Sequence, residues 1–378
     1  MIIGFAKETF PGEKRVALIP AIIPSLKKAG FEIVMESGAG KAAGFLDPQY
    51  ADKGVKLIEK RCDVFSAADI LLFVRALAAN RVAGKADFPL MHRGQIMIGM
   101  MEPSSAQDDI EQLNKAGITA FAMELLPRVS RAQSMDVLSS MATVAGYKAV
   151  ILAAERMPKM FPMLMTAAGT VAPARVFVVG AGVAGLQAIA TAKRLGAIVQ
   201  AYDIRPAVKE QVESLGAKFA ELPLETSSSE GSGGYAKAMD EEFLKKQRQL
   251  MGRLVAESDA VITTASVPGK KAPILITKEM IAQMKIGSVL VDLAAAQGGN
   301  CELTQPDKEI KVGEVTIVGP INLAASAPFD ASQMYARNLV NFLLYITKDG
   351  QLKLDIDDEI IRATMISGQQ DTKMASPK

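Results

Sequence analysis

One histidine, two cysteines and a net charge of only +2 among 378 residues narrow the chemistry open to this chain before any motif is read. Cys62 and Cys301 are too few and too isolated to build a disulfide framework or a metal site, so reduced thiols in a cytoplasmic chain are expected. The balance of 43 basic against 41 acidic residues offers no electrostatic footprint for nucleic acid or an anionic membrane. The most apolar stretch, Phe161 to Ala192, is broken by Pro162, Pro173, Arg175 and several glycines, and reads as core rather than as a membrane span. No signal or transit peptide is expected at the start, where Lys7 and Glu8 interrupt the first apolar segment. What remains is ordinary globular composition, 49% hydrophobic and 22% charged, at a length that suggests two or three domains.

The most informative stretch is residues 176 to 203, VFVVGAGVAGLQAIATAKRLGAIVQAYD. Val176 to Val179 is a continuous apolar run, as expected of a parallel strand buried on both faces. Gly180, Gly182 and Gly185 fill the Gly-x-Gly-x-x-Gly positions: the first for a tight turn, the second for close approach of a pyrophosphate, the third for packing of helix on strand. The helix then shows Leu186, Ile189 and Leu195 on one side, and Gly196 ends it as a left-handed cap before a second strand, Ile198 to Tyr202. Asp203 closes that strand. An acid roughly 20 residues beyond the glycines accepts from the adenosine ribose hydroxyls and repels a 2′-phosphate, which selects NAD(H) over NADP(H). Arg205 works in the opposite direction, since a nearby arginine can hold a 2′-phosphate.

Further strands are predicted at Ile2 to Ala6, Glu32 to Met35, Ile70 to Val74, Ile96 to Met100 and Thr119 to Ala122, with helices such as Ile22 to Ala29 and Gln107 to Ala116 between them. Ala260 to Ala265, Val289 to Leu293 and Val315 to Val318 follow the glycine motif. The pattern predicts an α/β protein of two Rossmann-like domains with parallel sheets, joined by long bridging helices. One of these is read at Ala132 to Met157, stopped by Pro158, and a second at Ser332 to Ile346, returning the chain to the first domain. The domains divide as residues 1–138 with 326–378, and 139–325. Within the second, Thr226 to Met239 opens with small polar residues and glycines and reads as a mobile surface loop, with Tyr235 and Met239 suited either to closing over a flat ring or to anchoring the loop.

Arg128-Val-Ser-Arg131-Ala-Gln133-Ser134-Met-Asp136-Val-Leu-Ser139-Ser140 and Ala145-Gly146-Tyr147 resemble the NAD(H)-binding component of proton-translocating nicotinamide nucleotide transhydrogenase. So do Thr166 to Thr170, Lys209 to Ser214, Gly233 to Lys237, Gly298 to Cys301 and the early Lys7-Glu8 and Pro11 to Val16 segments, so that the likeness covers nearly the whole chain. The resemblance implies a homodimer that passes hydride to NADP(H) held on a separate component, while a membrane component moves protons. It places the chain in the cytoplasm, peripheral to the inner face of the cell membrane through its partners. It also puts the nicotinamide pocket on Arg128, Gln133, Asp136 and Ser139, the first three as the catalytic set, with Val129, Ser130, Val137 and Leu138 beside them. The cofactor contacts implied elsewhere are Gly180, Ala181, Gly182, Val183, Ala184 and Gly185, then Asp203, Ile204 and Arg205, then Gly234, Tyr235, Gln247, Ala265 and Ser266. At Ser266 the chain departs from the family, reading Ala-Ser-Val-Pro-Gly-Lys-Lys, so a backbone contact is expected there. On helical spacing, Asp136 shares a face with Gln133 and Ser140. Arginine and aspartate suit the carbonyl and amide ends of a carboxamide, although Asp136 could equally cap a helix.

Alanine dehydrogenase is the related alternative, similar in fold and in the Lys7-Glu8 and Arg15 region; a non-catalytic NAD-binding module is another. Oxidising an amine removes a proton along with the hydride and needs an acid/base beside the substrate. His92 lies before the strand Ile96 to Met100 rather than after it, and Arg75 stands where that enzyme's lysine is expected. Arginine is a poor proton acceptor. Hydride transfer between two nicotinamide rings moves no proton to either carbon, which fits a pocket without an acid/base.

Overall fold

The structure, a computed structural model, describes residues 1–81, 83–221, 241–267 and 270–368. It divides into two compact units, 1–141 with 325–378, and 142–324.

The chain opens with β1 (Ile2–Phe5), α1 (Ile23–Lys28), β2 (Glu32–Glu36), α2 (Asp47–Ala51), β3 (Lys56–Ile58), α3 (Arg61–Ala67) and β4 (Ile70–Arg75). β5 (Ile96–Met100), α4 (Gln107–Ala116), β6 (Thr119–Ala122) and α5 (Val137–Arg156) follow. The next elements are the hairpin β7 (Leu164–Thr166) and β8 (Gly169–Val171), then β9 (Arg175–Val179), α6 (Val183–Arg194) and β10 (Ile198–Tyr202). After α7 (Lys209–Ser214) and β11 (Lys218–Phe219) come α8 (Glu241–Glu257), β12 (Ala260–Thr263), α9 (Lys278–Ala282) and β13 (Val289–Asp292). β14 (Glu309–Val312), β15 (Val315–Val318) and α10 (Pro328–Tyr345) lead to the short pair β16 (Thr347–Lys348) and β17 (Gln351–Leu352), α11 (Glu359–Thr364) and β18 (Met365–Ser367).

Each unit is built on a seven-stranded sheet, ordered β18-β6-β5-β4-β1-β2-β3 in the first and β11-β10-β9-β12-β13-β15-β14 in the second. Pairing is parallel except at one edge of each, where β18 runs against β6 and β14 against β15. The apolar run of β9 is explained by its two faces. Val176 and Val178 pack with Ala188, Ile189 and Ala192 of α6, whereas Phe177 and Val179 pack with Met251, Leu254 and Val255 of α8.

In the first unit α10 is apolar because its buried side is a core layer: Phe342 meets Phe121 of β6 edge-on at 5.4 Å, and the Tyr335 hydroxyl donates to the Phe73 carbonyl at 2.8 Å. The helix lies wholly within this unit, so the chain has already returned when α10 begins, and only α5 runs across the division. α5 has the length and composition of a membrane span, with 20 residues and a mean hydropathy of 1.5, yet Ala149, Val150 and Ala153 lie in the core of the second unit.

The expected helix from Ala132 is corrected at its start. Ser130–Met135 forms a 3-10 turn, Asp136 is extended at φ −70° and ψ 93°, and the α-helix begins at Val137. Asp136 Oδ1 accepts from the Ser139 amide at 2.9 Å and Oδ2 from the Ser139 hydroxyl at 2.6 Å. Asp136 is therefore an N-cap, and its side chain takes an amide the helix cannot satisfy itself. Gln133 lies in the preceding turn, so the two residues do not share a helical face.

Candidate nucleotide site

In the second sheet the chain runs outward from β9 through β10 to β11, then restarts on the other side of β9 with β12 and β13. The strand order reverses between β9 and β12, and open α/β sheets bind ligands beyond the carboxyl ends of the strands at such a point. Gly180 follows β9 there with φ +96°, which a side-chain-bearing residue rarely adopts. A Cβ on Gly185 would lie 1.8 Å from the Gly180 carbonyl oxygen, so this glycine is required for α6 to approach the turn. A Cβ on Gly182 would meet no protein atom within 4 Å. The crowding at Gly185 is internal, whereas the space at Gly182 is open, as a pyrophosphate approaching the start of α6 requires. Gly146 on α5 explains part of the Ala145-Gly146-Tyr147 motif, since a Cβ there would lie 2.1 Å from the Ala184 carbonyl oxygen.

Asp203 sits just past β10, and its carboxylate is 7% exposed. Oδ2 accepts from the Ala181 amide at 2.7 Å, which ties the acid to the glycine turn. Arg205 approaches it from its own backbone amide and from Nε and Nη2, each at 2.9 Å. Ile204, between them, is half-buried. Val183 is exposed and Ala184 half-buried at the head of α6.

On the far side of the turn the Thr264 hydroxyl donates to the Gly180 carbonyl at 3.1 Å. Ala265 is fixed by Asn300: its amide donates to Asn300 Oδ1 at 2.9 Å, and Asn300 Nδ2 donates back to its carbonyl at 2.7 Å. Asn300 is held in turn by Asp292, a fully buried acid that accepts from the Asn300 and Cys301 amides and from the Thr263 and Thr304 hydroxyls. Ser266 is exposed. Gln247 is buried on α8, and its Nε2 donates to the Tyr202 hydroxyl at 2.9 Å. The turn, Asp203, Arg205 and the 264–266 loop thus converge at the ends of β9, β10 and β12. Gly234, Tyr235 and the loop Thr226 to Met239 lie outside the described residues.

The Arg128 to Ser139 segment belongs to the first unit. Arg128, Ser130 and Gln133 are exposed, Val129, Leu138 and Ser139 half-buried, and Val137 buried. Asn338 and Asn341 of α10 both donate to the Ser134 carbonyl, at 2.9 and 3.0 Å, and Arg131 binds Asp358 and Glu359. These bonds set the course of the segment and leave the exposed side chains on its outer side.

One cluster escaped sequence reasoning. The first sheet also reverses its strand order, between β1 and β4, and the part-buried Glu8 carboxylate sits at that point, accepting from the Val74 and Arg75 amides at 2.6 and 3.0 Å. Burial pushes the Glu8 carboxyl up to about 7 against those two bonds, with Glu13 adding to the rise. Arg15 is buried in a two-point contact with Glu13 at 2.7 and 2.6 Å, and Arg75 lies over the Phe10 ring at 4.5 Å. The early Lys7-Glu8 motif and Arg15 were the only sequence signals for it. His92 is exposed in the loop before β5.

Fold and site define a two-unit Rossmann-like α/β protein whose glycine turn lies at the switch point of the second sheet. Residues 4–145 match the alanine dehydrogenase/PNT N-terminal domain and residues 149–373 the C-terminal domain, and the chain belongs to that family. The first of the two chains that make up the NAD(P) transhydrogenase alpha subunit of Rhodospirillum rubrum is 46% identical over 97% of this chain and 96% of its own length. The solved structure of transhydrogenase from Sinorhizobium meliloti matches with a TM-score of 0.86 at 44% identity, over 97% of this chain and 99% of that one. A solved L-alanine dehydrogenase matches at a TM-score of 0.75 and 26% identity, over 93% of this chain and 96% of that one.

Proposed function

We propose that this chain is the NAD(H)-binding component of a proton-translocating transhydrogenase, passing hydride from NADH to NADP⁺ held on a partner component while a membrane component moves protons. The observation that carries the reading is Asp203 bonded to the glycine turn at the switch point, where the acid can meet an adenosine ribose while the head of α6 meets the diphosphate. The nucleotide domain is residues 139–325, and residues 1–138 with 326–378 form the other domain. The open face at Gly182 fits a dinucleotide.

NADH supplies the hydride. The chain's own residues bind and orient: Gly180 to Gly185 hold the diphosphate, Asp203 to Arg205 the adenosine end, and the Ala265 and Ser266 backbone the linkage toward the nicotinamide. Arg128, Gln133 and Asp136 fix the carboxamide and so the angle of the ring, with Val129, Ser130, Val137, Leu138 and Ser139 lining the pocket. Asp136 can serve there while capping α5, because a carboxylate has about four acceptor positions and Ser139 takes two. Gly234, Tyr235 and Gln247 complete the proposed contacts.

The chain acts as a homodimer, peripheral to the inner face of the cell membrane through its partners. The exposed hairpin β7–β8 supports a second copy, since Leu164, Val171 and the 78%-exposed Met165 present apolar surface to solvent.

A second reading, an amino-acid oxidoreductase like alanine dehydrogenase, is favoured by Glu8, whose carboxyl titrates near neutrality at the first unit's switch point. Against it, Arg15 already holds an internal carboxylate, and identity to the transhydrogenase relative is 46% against 26% to the solved alanine dehydrogenase. Titration of the purified chain with NADH and NADPH tests the proposal. NADH is expected to bind more tightly, and Asp203→Ala to weaken it by about 1–3 kcal/mol. Equal affinity for NADPH, or turnover of alanine by the chain alone, would overturn it.

A further inference from the structure

The contacts of Asp203 say more about selectivity than the presence of an acid does. A carboxylate offers about four acceptor positions, and four donors meet this one: the Ala181 amide, the Arg205 amide, and Arg205 Nε and Nη2. Two of these are backbone groups set by the turn. The other two are a side-chain fork that can move. The guanidinium is 17% exposed and the carboxylate 7%, so both charges lie at the edge of the site and largely cancel there.

Simple repulsion by Asp203 therefore gives an incomplete account of how a 2′-phosphate is refused. The pair presents little net negative charge, and a planar fork two residues from the acid matches a phosphate as well as it matches a carboxylate. What keeps it from a phosphate is that Asp203 already engages it. We propose that Arg205 is a specificity-determining residue, a latent receptor for the 2′-phosphate of NADP(H) that Asp203 holds in check. Selectivity then belongs to the pair, and loss of the carboxylate alone turns the site toward 2′-phosphorylated nucleotides. This inference rests on the NAD(H) reading and concerns the adenosine end of the same site.

The test is calorimetric titration of the full chain with NADH and with NADPH, in the unmodified protein, Asp203→Asn, Asp203→Ser and Asp203→Ser/Arg205→Ala. Asp203→Asn removes the charge but keeps an oxygen for the Ala181 amide, so it covers the case in which the serine variant fails to fold. Both single variants are expected to bind NADPH at least about tenfold more tightly than the unmodified chain, the scale of one charge-assisted hydrogen bond. The double variant is expected to lose that gain. The gain should also shrink as salt is raised, because the new contact is an ion pair near the surface. NADH binding by the unmodified chain with no NADPH gain in either variant would overturn the inference alone, as would a gain that survives loss of Arg205. Absence of NADH binding by the unmodified chain would overturn the cofactor reading and the inference with it.

Discussion

Two glycines three residues apart do opposite work, and the difference is measurable. At Gly185 an added methyl would meet the Gly180 carbonyl at 1.8 Å, so α6 must shift or the turn must open. Gly185→Ala is expected to cost about 1–3 kcal/mol of stability, the usual range for overpacking, read as a lowered midpoint of thermal unfolding. At Gly182 the methyl would meet nothing in the protein. Gly182→Ala should leave that midpoint nearly unchanged and weaken NADH binding, because the space it fills is where a diphosphate approaches. Glu8 gives a pH dependence of definite sign. Its carboxyl is held at about 7 in the folded protein against an ordinary 4.5. Below 4.5 both folded and unfolded chains carry the proton and Glu8 has no effect on stability. Between there and 7 the unfolded chain ionises first, so stability falls as pH rises, and above 7 the loss is constant. Urea unfolding of Glu8→Gln against the unmodified protein should show the variant gaining relative stability from about pH 5 to about pH 8; a difference independent of pH would contradict the assignment.

The start of α5 joins local structure to function, because Asp136 both ends the 3-10 turn and caps the helix. Asp136→Ala should cost about 1 kcal/mol through the lost cap. Asp136→Asn keeps an oxygen for the Ser139 amide and should hold stability close to that of the unmodified protein, yet slow hydride transfer by removing the charge proposed to orient the carboxamide. Equal transfer rates in the Asp136→Asn variant and the unmodified chain would reduce Asp136 to a cap. This element also marks the limit of what the sequence revealed. Strands with continuous apolar runs, such as Ile96–Met100 and Thr119–Ala122, were legible because burial on both faces requires them. The helix start was not, since the apolar pattern continues through Ala132 and Met135, which are buried in the 3-10 turn just as they would be in a helix. The edge strands β14 and β18 were hidden for the complementary reason: Glu309–Val312 and Met365–Ser367 are short and bury at most one residue each, so no run betrays them. Of the candidate site, the glycine turn and its acid were legible from spacing. The Asp292 to Asn300 to Ala265 relay was not, because it joins residues that only the folded sheet brings together.

At the scale of the whole molecule, the two units repeat one plan, a parallel-dominated sheet that reverses its strand order at a central point. Only the second combines that point with a glycine turn opening a helix; the first fills it with Glu8, Val74 and Arg75 bonded to one another. The proposed division of labour follows, with the second unit binding the nucleotide and the first carrying Arg128, Gln133 and Asp136. Hydride exchange between two nicotinamide rings demands positioning more than acid/base chemistry, which agrees with an exposed His92 and an Arg75 that burial cannot turn into a proton acceptor. The most direct measurement is transfer of deuterium from NADH labelled at the nicotinamide C4, followed by mass spectrometry of the NADPH formed. The label is expected in NADPH only when this chain and an NADP(H)-binding partner component are both present, and not with either alone. Failure of the label to reach NADPH in the complete mixture, with the chain alone instead passing it to pyruvate and ammonium to give labelled alanine, would contradict the account.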